Sequence, residues 1–520
     1  MRKASGTVMI LASLLLAGAF LSCKLGFLAF FGFIPFFAVL KGKTIRRVFF
    51  LSYFYGVAFF LSSMYWLIYV SPAGWIVLSL YQALYFGLFG VFASKAFLYC
   101  KNKTNLVYLI IPSFWVVCEF TRSYLGGGIG WNLLGYSQYK NIPFIQIADT
   151  TGVYGISFLI VLINLFIFFL IAEGKEILKK KSFLKICIIP LILITSIFLY
   201  GSLKIKFLDK VTLSQKKDIK VSVVQGNIAQ HHKWDAAYKE RIIDKYEKLT
   251  LQVKEEEPDI VIWPETSVPG YVELERWLFD RVIKIAQSIQ TYFLIGAPMI
   301  TERVAPSVET YNSALLFSDK AELIERYNKV HLVPFGEFVP FEKILPQLRR
   351  FLPLTGNFIS GEKYTVFELE KDKRFYFSVL VCFEDIFPGL VRQFVLRGAD
   401  FLVNITNDAW FYRSPAAYQH AANSVFRAIE NRRPFVRAAN TGFSCFIDNV
   451  GRIYKWVADS KGEALFVEGV KTSIVSCSKR NVFSFYTRFG DVFALVCIIV
   501  VLIAVLFFMI DYRRRYMYNI

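Results

Sequence analysis

Hydrophobic positions in this chain fall into two regimes. Residues 1–203 and 492–510 hold long uncharged runs, whereas about 218–480 mixes polar and apolar positions in short periods. A helix of about 20 apolar residues crosses a bilayer core of roughly 30 Å, and its backbone satisfies itself where water is absent. Eight runs meet that description, near 6–22, 24–40, 48–70, 75–98, 106–121, 152–172, 184–201 and 492–510. The pattern predicts a membrane domain over 1–203 with about seven spans and an eighth span at 492–510.

Between them, short β-branched and aromatic runs predict strands at 219–228, 258–267, 291–299, 311–318, 374–385 and 399–408. The segments 236–253 and 274–289 carry apolar residues at helical spacing. Strands alternating with amphipathic helices predict an α/β sandwich over 218–480, with functional groups at strand ends.

Composition adds to this picture. A mean hydropathy of +0.45, with 17% aromatic residues over 520 positions, fits a membrane part joined to a domain. Tyr65 and Trp66, and the stretch Trp131 to Tyr136, are of the kind found in aromatic belts at the membrane interface. Basic residues gather in alternate loops, at 41–47, 101–103, 173–181 and 513–515, while 72–75 and 123–150 are nearly free of them apart from Lys140. Because short cytoplasmic loops collect Lys and Arg, this places both termini in the cytoplasm and 218–480 on the opposite side. The net charge of +20 sits largely in those loops and forms no stripe, which argues against nucleic acid and for anionic lipid. The start, MRK followed by LLLAGAFLSC, has the form of a signal peptide, but the apolar run after Lys24 favours a retained hairpin.

Three of the eight cysteines, Cys382, Cys445 and Cys477, fall in 218–480, so at most one disulfide forms there. No CxxC pair is present, and the four histidines lack zinc-site spacing, so neither metal nor cofactor is expected.

Three strand ends carry candidate chemistry: Glu265 in VIWPE, Lys329 in RYNKVHLVPFGE with Glu337 beyond it, and Cys382 in VLVCFE with Glu384 two residues on. Singly, each has an ordinary reading: a strand cap, a surface charge, a small packed hydrophobe. Together, acid, amine and thiol supply the parts of covalent acyl transfer, with Glu265 as base, Lys329 as cation and Cys382 as nucleophile. A backbone N–H beside the nucleophile, that of Phe383, would join Lys329 in stabilising an oxyanion.

The strings WPE, NKxHLVPFGE and CFE, about 60 and about 50 residues apart, resemble the Glu-Lys-Cys triad of the nitrilase superfamily. EFTRSYLGGGIGWNLLGYSQ at 119–138, DTTGVYGISFLIVLIN at 149–164, YNKVHLVPFGEFVPFE at 327–342, NITNDAWFYRSPAAYQH at 404–420 and RAIENRRPFVRAANTG at 427–442 resemble the apolipoprotein N-acyltransferase family over nearly the whole chain. The resemblance implies a polytopic α-helical membrane domain plus an extracytoplasmic nitrilase-like α-β-β-α sandwich, in the bacterial inner membrane with the domain on the periplasmic side. It implies Glu265 as general base, Lys329 as oxyanion lysine, Cys382 as nucleophile, Glu337 as the acid that positions the lysine, Glu384 as an acid beside the nucleophile and Trp234 as a lipid-facing residue. The implied donor is the sn-1 acyl chain of phosphatidylethanolamine, and the implied acceptor is the N-terminal amine of a diacylglyceryl-cysteine apolipoprotein. Two departures stand out. Phe383 occupies a position that is often Tyr, and WFYR lacks the Gly often found after WF.

Two other classes use parts of the same pattern. A membrane-anchored amidohydrolase would need the same three residues with open water access, and seven preceding spans exceed what an anchor requires. A transporter would carry charged or interrupted spans; Pro35 and Pro190 interrupt, but acids within the runs are scarce.

Overall fold

The computed structural model describes residues 2–100, 104–178, 182–215, 217–300, 310–339, 358–477 and 482–517. The basic loop at 101–103, residues 179–181, the end of the string at 327–342 and the predicted domain boundary at 480 lie outside them. The chain divides into two compact units, 1–207 with 489–520, and 208–488.

In the first unit, seven helical segments among the described residues are long and apolar enough to cross a membrane: Cys23–Leu40, Ile45–Ser63, Pro72–Tyr99, Thr104–Gly127, Ala148–Ala172, Cys187–Thr212 and Val492–Arg514. The eighth expected run forms a helix, Arg2–Leu21, whose apolar part Ser5–Leu21 is shorter. The run at 24–40 differs from a simple span. It is a 3-10 segment, Cys23–Phe30, followed by the helix Phe33–Leu40. Two side chains meet backbone groups freed by this break: Asn164 Oδ1 accepts from Phe33 N at 2.9 Å and its Nδ2 donates to Ala29 O at 2.8 Å, while Tyr55 OH donates to Gly32 O at 2.9 Å. A break inside an apolar unit is tolerated only with such internal partners.

The same logic accounts for two buried charges on the helix Thr104–Tyr124. Arg122 donates to the carbonyls of Trp131 (2.8 Å) and Asn132 (2.9 Å), and Glu119 accepts from Leu134 N at 2.7 Å, so an irregular segment is bonded from within. Trp66 and Trp131 are buried in this unit, with ring centroids 5.2 Å apart.

Among the described residues the second unit holds twelve strands: β1 Asp218–Gln225, β2 Ile260–Ile262, β3 Tyr292–Ile300, β4 Thr310–Phe317, β5 Leu323–Asn328, β6 Phe367–Glu370, β7 Arg374–Val381, β8 Phe401–Thr406, β9 Phe435–Ala439, β10 Cys445–Ile447, β11 Ile453–Trp456 and β12 Gly469–Ser476. They form two six-stranded sheets, ordered β12-β1-β2-β3-β4-β5 and β11-β10-β9-β8-β7-β6. The centre of each sheet is parallel, β1 to β3 in one and β7 to β9 in the other, and the outer strands are antiparallel. Central strands buried on both faces explain the near-continuous apolar runs of the sequence.

The helices Lys239–Gln252 and Arg276–Ile289 set Ile243, Tyr246, Val282 and Ile285 against Val261, Trp263 and Phe293 of the first sheet. The helices Pro388–Leu396 and Ala416–Asn431 pack on the second sheet, and β1 and β4 of the first meet β9 and β7 of the second. This is the α-β-β-α order that the resemblance implies. Several strands are shorter than expected: β2 ends at Ile262, three residues before Glu265, and β7 ends at Val381, so Cys382 opens a 3-10 turn, Cys382–Ile386.

Candidate active site

Glu265 is fixed by the turn that carries it. Thr266 has a φ of 43°, in the left-handed region that β-branched residues avoid. A Cβ on Gly296 of β3 would lie 2.5 Å from Pro264 O and 2.7 Å from Glu265 Cα, so only glycine lets the sheet approach this closely. From the other side, Lys233 donates to Glu265 O and to Thr266 Oγ1, both at 2.9 Å.

The Glu265 carboxylate accepts from Asn312 Nδ2 of β4 at 2.7 Å, and the same nitrogen lies 3.2 Å from Glu337 Oε1. Lys329, which follows β5 directly and is 0% exposed, lies 2.9 and 2.8 Å from the two Glu337 oxygens. Glu265, Asn312, Glu337 and Lys329 thus form one buried hydrogen-bonded chain. Glu337 is further held by Val333 N at 2.8 Å.

Cys382 stands at the carboxyl end of β7 with a φ of 54°, a strained setting for a non-glycine residue. Its carbonyl accepts from Asn404 Nδ2 at 2.9 Å and faces His420 Nε2 at 3.3 Å, and its thiol interacts with the Thr406 side chain. Burial pushes the thiol well above its ordinary pKa and the charge of Glu265 adds to this, while the Lys329 ammonium pulls it back. Burial alone would lower Lys329, but Glu337, Cys382, Glu265 and Glu384 together raise it, so it stays an ammonium. The acid, amine and thiol singled out in the sequence therefore meet in one electrostatic unit.

Glu384 has a different part. Its carboxylate accepts from Val381 N (2.7 Å), Val330 N (2.8 Å), His331 N (3.0 Å) and Tyr327 OH (2.7 Å), joining the nucleophile turn to the lysine segment. Phe383 is partly buried, its ring edge-on to Phe387 with centroids 5.3 Å apart. Trp234 is 42% exposed, one residue beyond the buried Lys233.

Sequence reasoning missed a second buried layer behind the thiol. The two ring nitrogens of His420 lie 2.9 Å from Asp408 Oδ1 and 2.9 Å from Asp385 Oδ1, so both donate and the ring is an imidazolium. Burial alone would lower its pKa, but the carboxylate of Asp385, with Asp408 behind it, lifts it to about 9. Arg437 Nη1 completes the cluster at 2.8 Å from Asp385 Oδ2. The string NITNDAWFYRSPAAYQH at 404–420 holds both Asp408 and His420, but nothing in their spacing joins them to Asp385 or Arg437. No group of three or more His, Cys, Asp or Glu side chains among the described residues is placed to hold a metal.

Residues 12–166 match the family model described as the apolipoprotein N-acyltransferase N-terminal domain, and residues 220–468 match that of carbon-nitrogen hydrolase. An apolipoprotein N-acyltransferase of Geobacter metallireducens is 37% identical over 504 residues, covering 94% of this chain and 92% of its own. Those of Chlorobaculum tepidum and Rickettsia typhi are 31% and 30% identical over 85% and 87% of this chain and 84% and 88% of theirs. Among solved structures, an amidase from Nesterenkonia sp. AN1 aligns with 53% of this chain and 97% of its own at 17% identity, with a TM-score of 0.37. Similarity at this level extends through the membrane unit and the sheet-bearing unit alike, and on that ground the chain belongs to the apolipoprotein N-acyltransferase family.

Proposed function

We propose that this membrane protein N-acylates apolipoproteins through a thioester on Cys382, with a phospholipid as donor. The observation that carries the reading is the buried chain Glu265, Asn312, Glu337 and Lys329, in which the charges of Glu265 and Lys329 act on Cys382.

In the first half-reaction Glu265 takes the Sγ proton, and sulfur bonds to the sn-1 carbonyl carbon of phosphatidylethanolamine. The oxyanion is stabilised by Lys329 and the Phe383 N–H. The ester C–O bond then breaks, Glu265 returns the proton to the departing lysophospholipid, and a thioester remains. In the second half-reaction the α-amine of a diacylglyceryl-cysteine attacks that carbonyl and gives a proton to Glu265. The C–S bond breaks, and the proton restores the thiol. Glu337 keeps Lys329 in place, and the exposed Trp234 contacts lipid.

The same reading sets the protein in the inner membrane, with residues 218–480 on the periplasmic side and both termini in the cytoplasm. The basic residues in alternate loops support it.

Intact-protein mass spectrometry after mixing purified protein with phosphatidylethanolamine tests the chemistry. One fatty-acyl mass is expected on the wild type, removed by hydroxylamine and absent from Cys382→Ala. Transfer to a lipopeptide without any such adduct would overturn the covalent scheme.

A further inference from the structure

Lys329 is not the only buried lysine at the site: a second one holds the backbone of Glu265. Lys233, on the loop between β1 and the helix Lys239–Gln252, is 3% exposed. Its Nζ touches only uncharged oxygens, Glu265 O and Thr266 Oγ1, and it forms no ion pair with any described residue. Lys329, by contrast, contacts both oxygens of Glu337. A buried cation without a carboxylate partner is costly, and it persists where an anion forms nearby. Burial lowers Lys233 to about 8, against the opposing pull of Glu265 and Cys382, the two groups whose charge it feels.

We propose that Lys233 is a second cation of the reaction centre, a positioning residue that pins the Glu265 turn while its charge favours the Cys382 thiolate. The inference rests on the acyl-transfer reading of Cys382. It shares the electrostatic work at sulfur: Lys329, oriented by Glu337, lowers the thiol and also faces the oxyanion, and Lys233 adds a second charge from the side of the base. It also ties the exposed Trp234 to the base, since the residue before it is the one that grips Glu265.

The test uses the full-length protein in detergent with Lys233→Met, Lys233→Gln and Lys233→Arg. Iodoacetamide alkylation is followed at the Cys382 peptide as a function of pH. Alkylation tracks the thiolate fraction, which falls tenfold for each unit by which the thiol pKa rises. The expected result at pH 7, where Lys233 is charged, is a rate about tenfold lower in Lys233→Met, a profile displaced to higher pH, and recovery of most of the rate in Lys233→Arg. A merely structural loss would loosen the site and speed alkylation. Lys233→Gln keeps an N–H donor without the charge and gives the same reading should the Met variant not fold. An unchanged profile in the neutral variants, or an equal loss in Lys233→Arg, overturns the inference. Alkylation needs no lipid, so a displaced profile in a protein that forms no acyl adduct would retain the second cation and remove only the acyl-transfer reading.

Discussion

The carboxylate of Glu384 lies 2.8 Å from the backbone N–H of Val330, the residue after Lys329. Nucleophile and lysine come from different sheets, and this bond helps hold their separation constant. In Glu384→Gln one oxygen can still accept, but the amide nitrogen must face the N–H of Val381 or those of Val330 and His331. A donor facing a donor in a buried site costs about 1–3 kcal/mol. Thermal melts should show that loss, and acyl-enzyme formation should fall with it.

Glu265→Gln separates base from scaffold. The Gln carbonyl can still accept from Asn312, so the fold should be kept, while the proton acceptor is gone. Single-turnover acylation is expected to fall about 10³-fold at an unchanged melting temperature. A near-normal rate would remove Glu265 from the reaction.

Gly296→Ala tests the close approach behind the base. The added Cβ meets Pro264 O and the Glu265 backbone, which have no side-chain freedom with which to give way. A stability loss of about 1–3 kcal/mol is expected, with a larger drop in acylation than in lipid binding because the base moves. Equal losses in both would mean that the turn itself is not what matters.

The His420 cluster predicts a pH dependence of stability. Its folded pKa of about 9 lies above the ordinary 6.5, so its contribution is complete below pH 6.5 and is lost as pH rises through 9. That span corresponds to about 3 kcal/mol for a fully buried group. Asp385, held below its ordinary value by His420 and Arg437 against the effect of burial, gives the opposite limb, lost as pH falls below 3.8. Melting curves from pH 6 to pH 9.5 should drop steeply in the wild type and much less in His420→Gln.

The sequence displayed Glu265, Lys329 and Cys382 because each ends or follows a strand in a short distinctive string. It hid what supports them. β5, with its first four residues exposed, has no alternating apolar face, so only its role in presenting Lys329 reveals it as a strand. The helix Ala416–Asn431 is buried at every position but Tyr418, including Arg427 and Glu430, whose side chains pair at 2.9 Å. With polar groups bonded to one another inside, it shows no amphipathic stripe. Asn312, Lys233 and His420 act through partners 47, 32 and 35 residues away, and no local pattern encodes such separations.

The broken segment near the N-terminus bears on how the chain is made. Phe33 and Ala29 find their hydrogen-bond partner in Asn164, more than 130 residues later. During synthesis the first turn of the membrane unit reaches the bilayer before its cap exists, and its open peptide groups must be shielded by water or by the insertion machinery. Biogenesis of the amino-terminal region is therefore complete only once the helix Ala148–Leu178 has been laid down beside it.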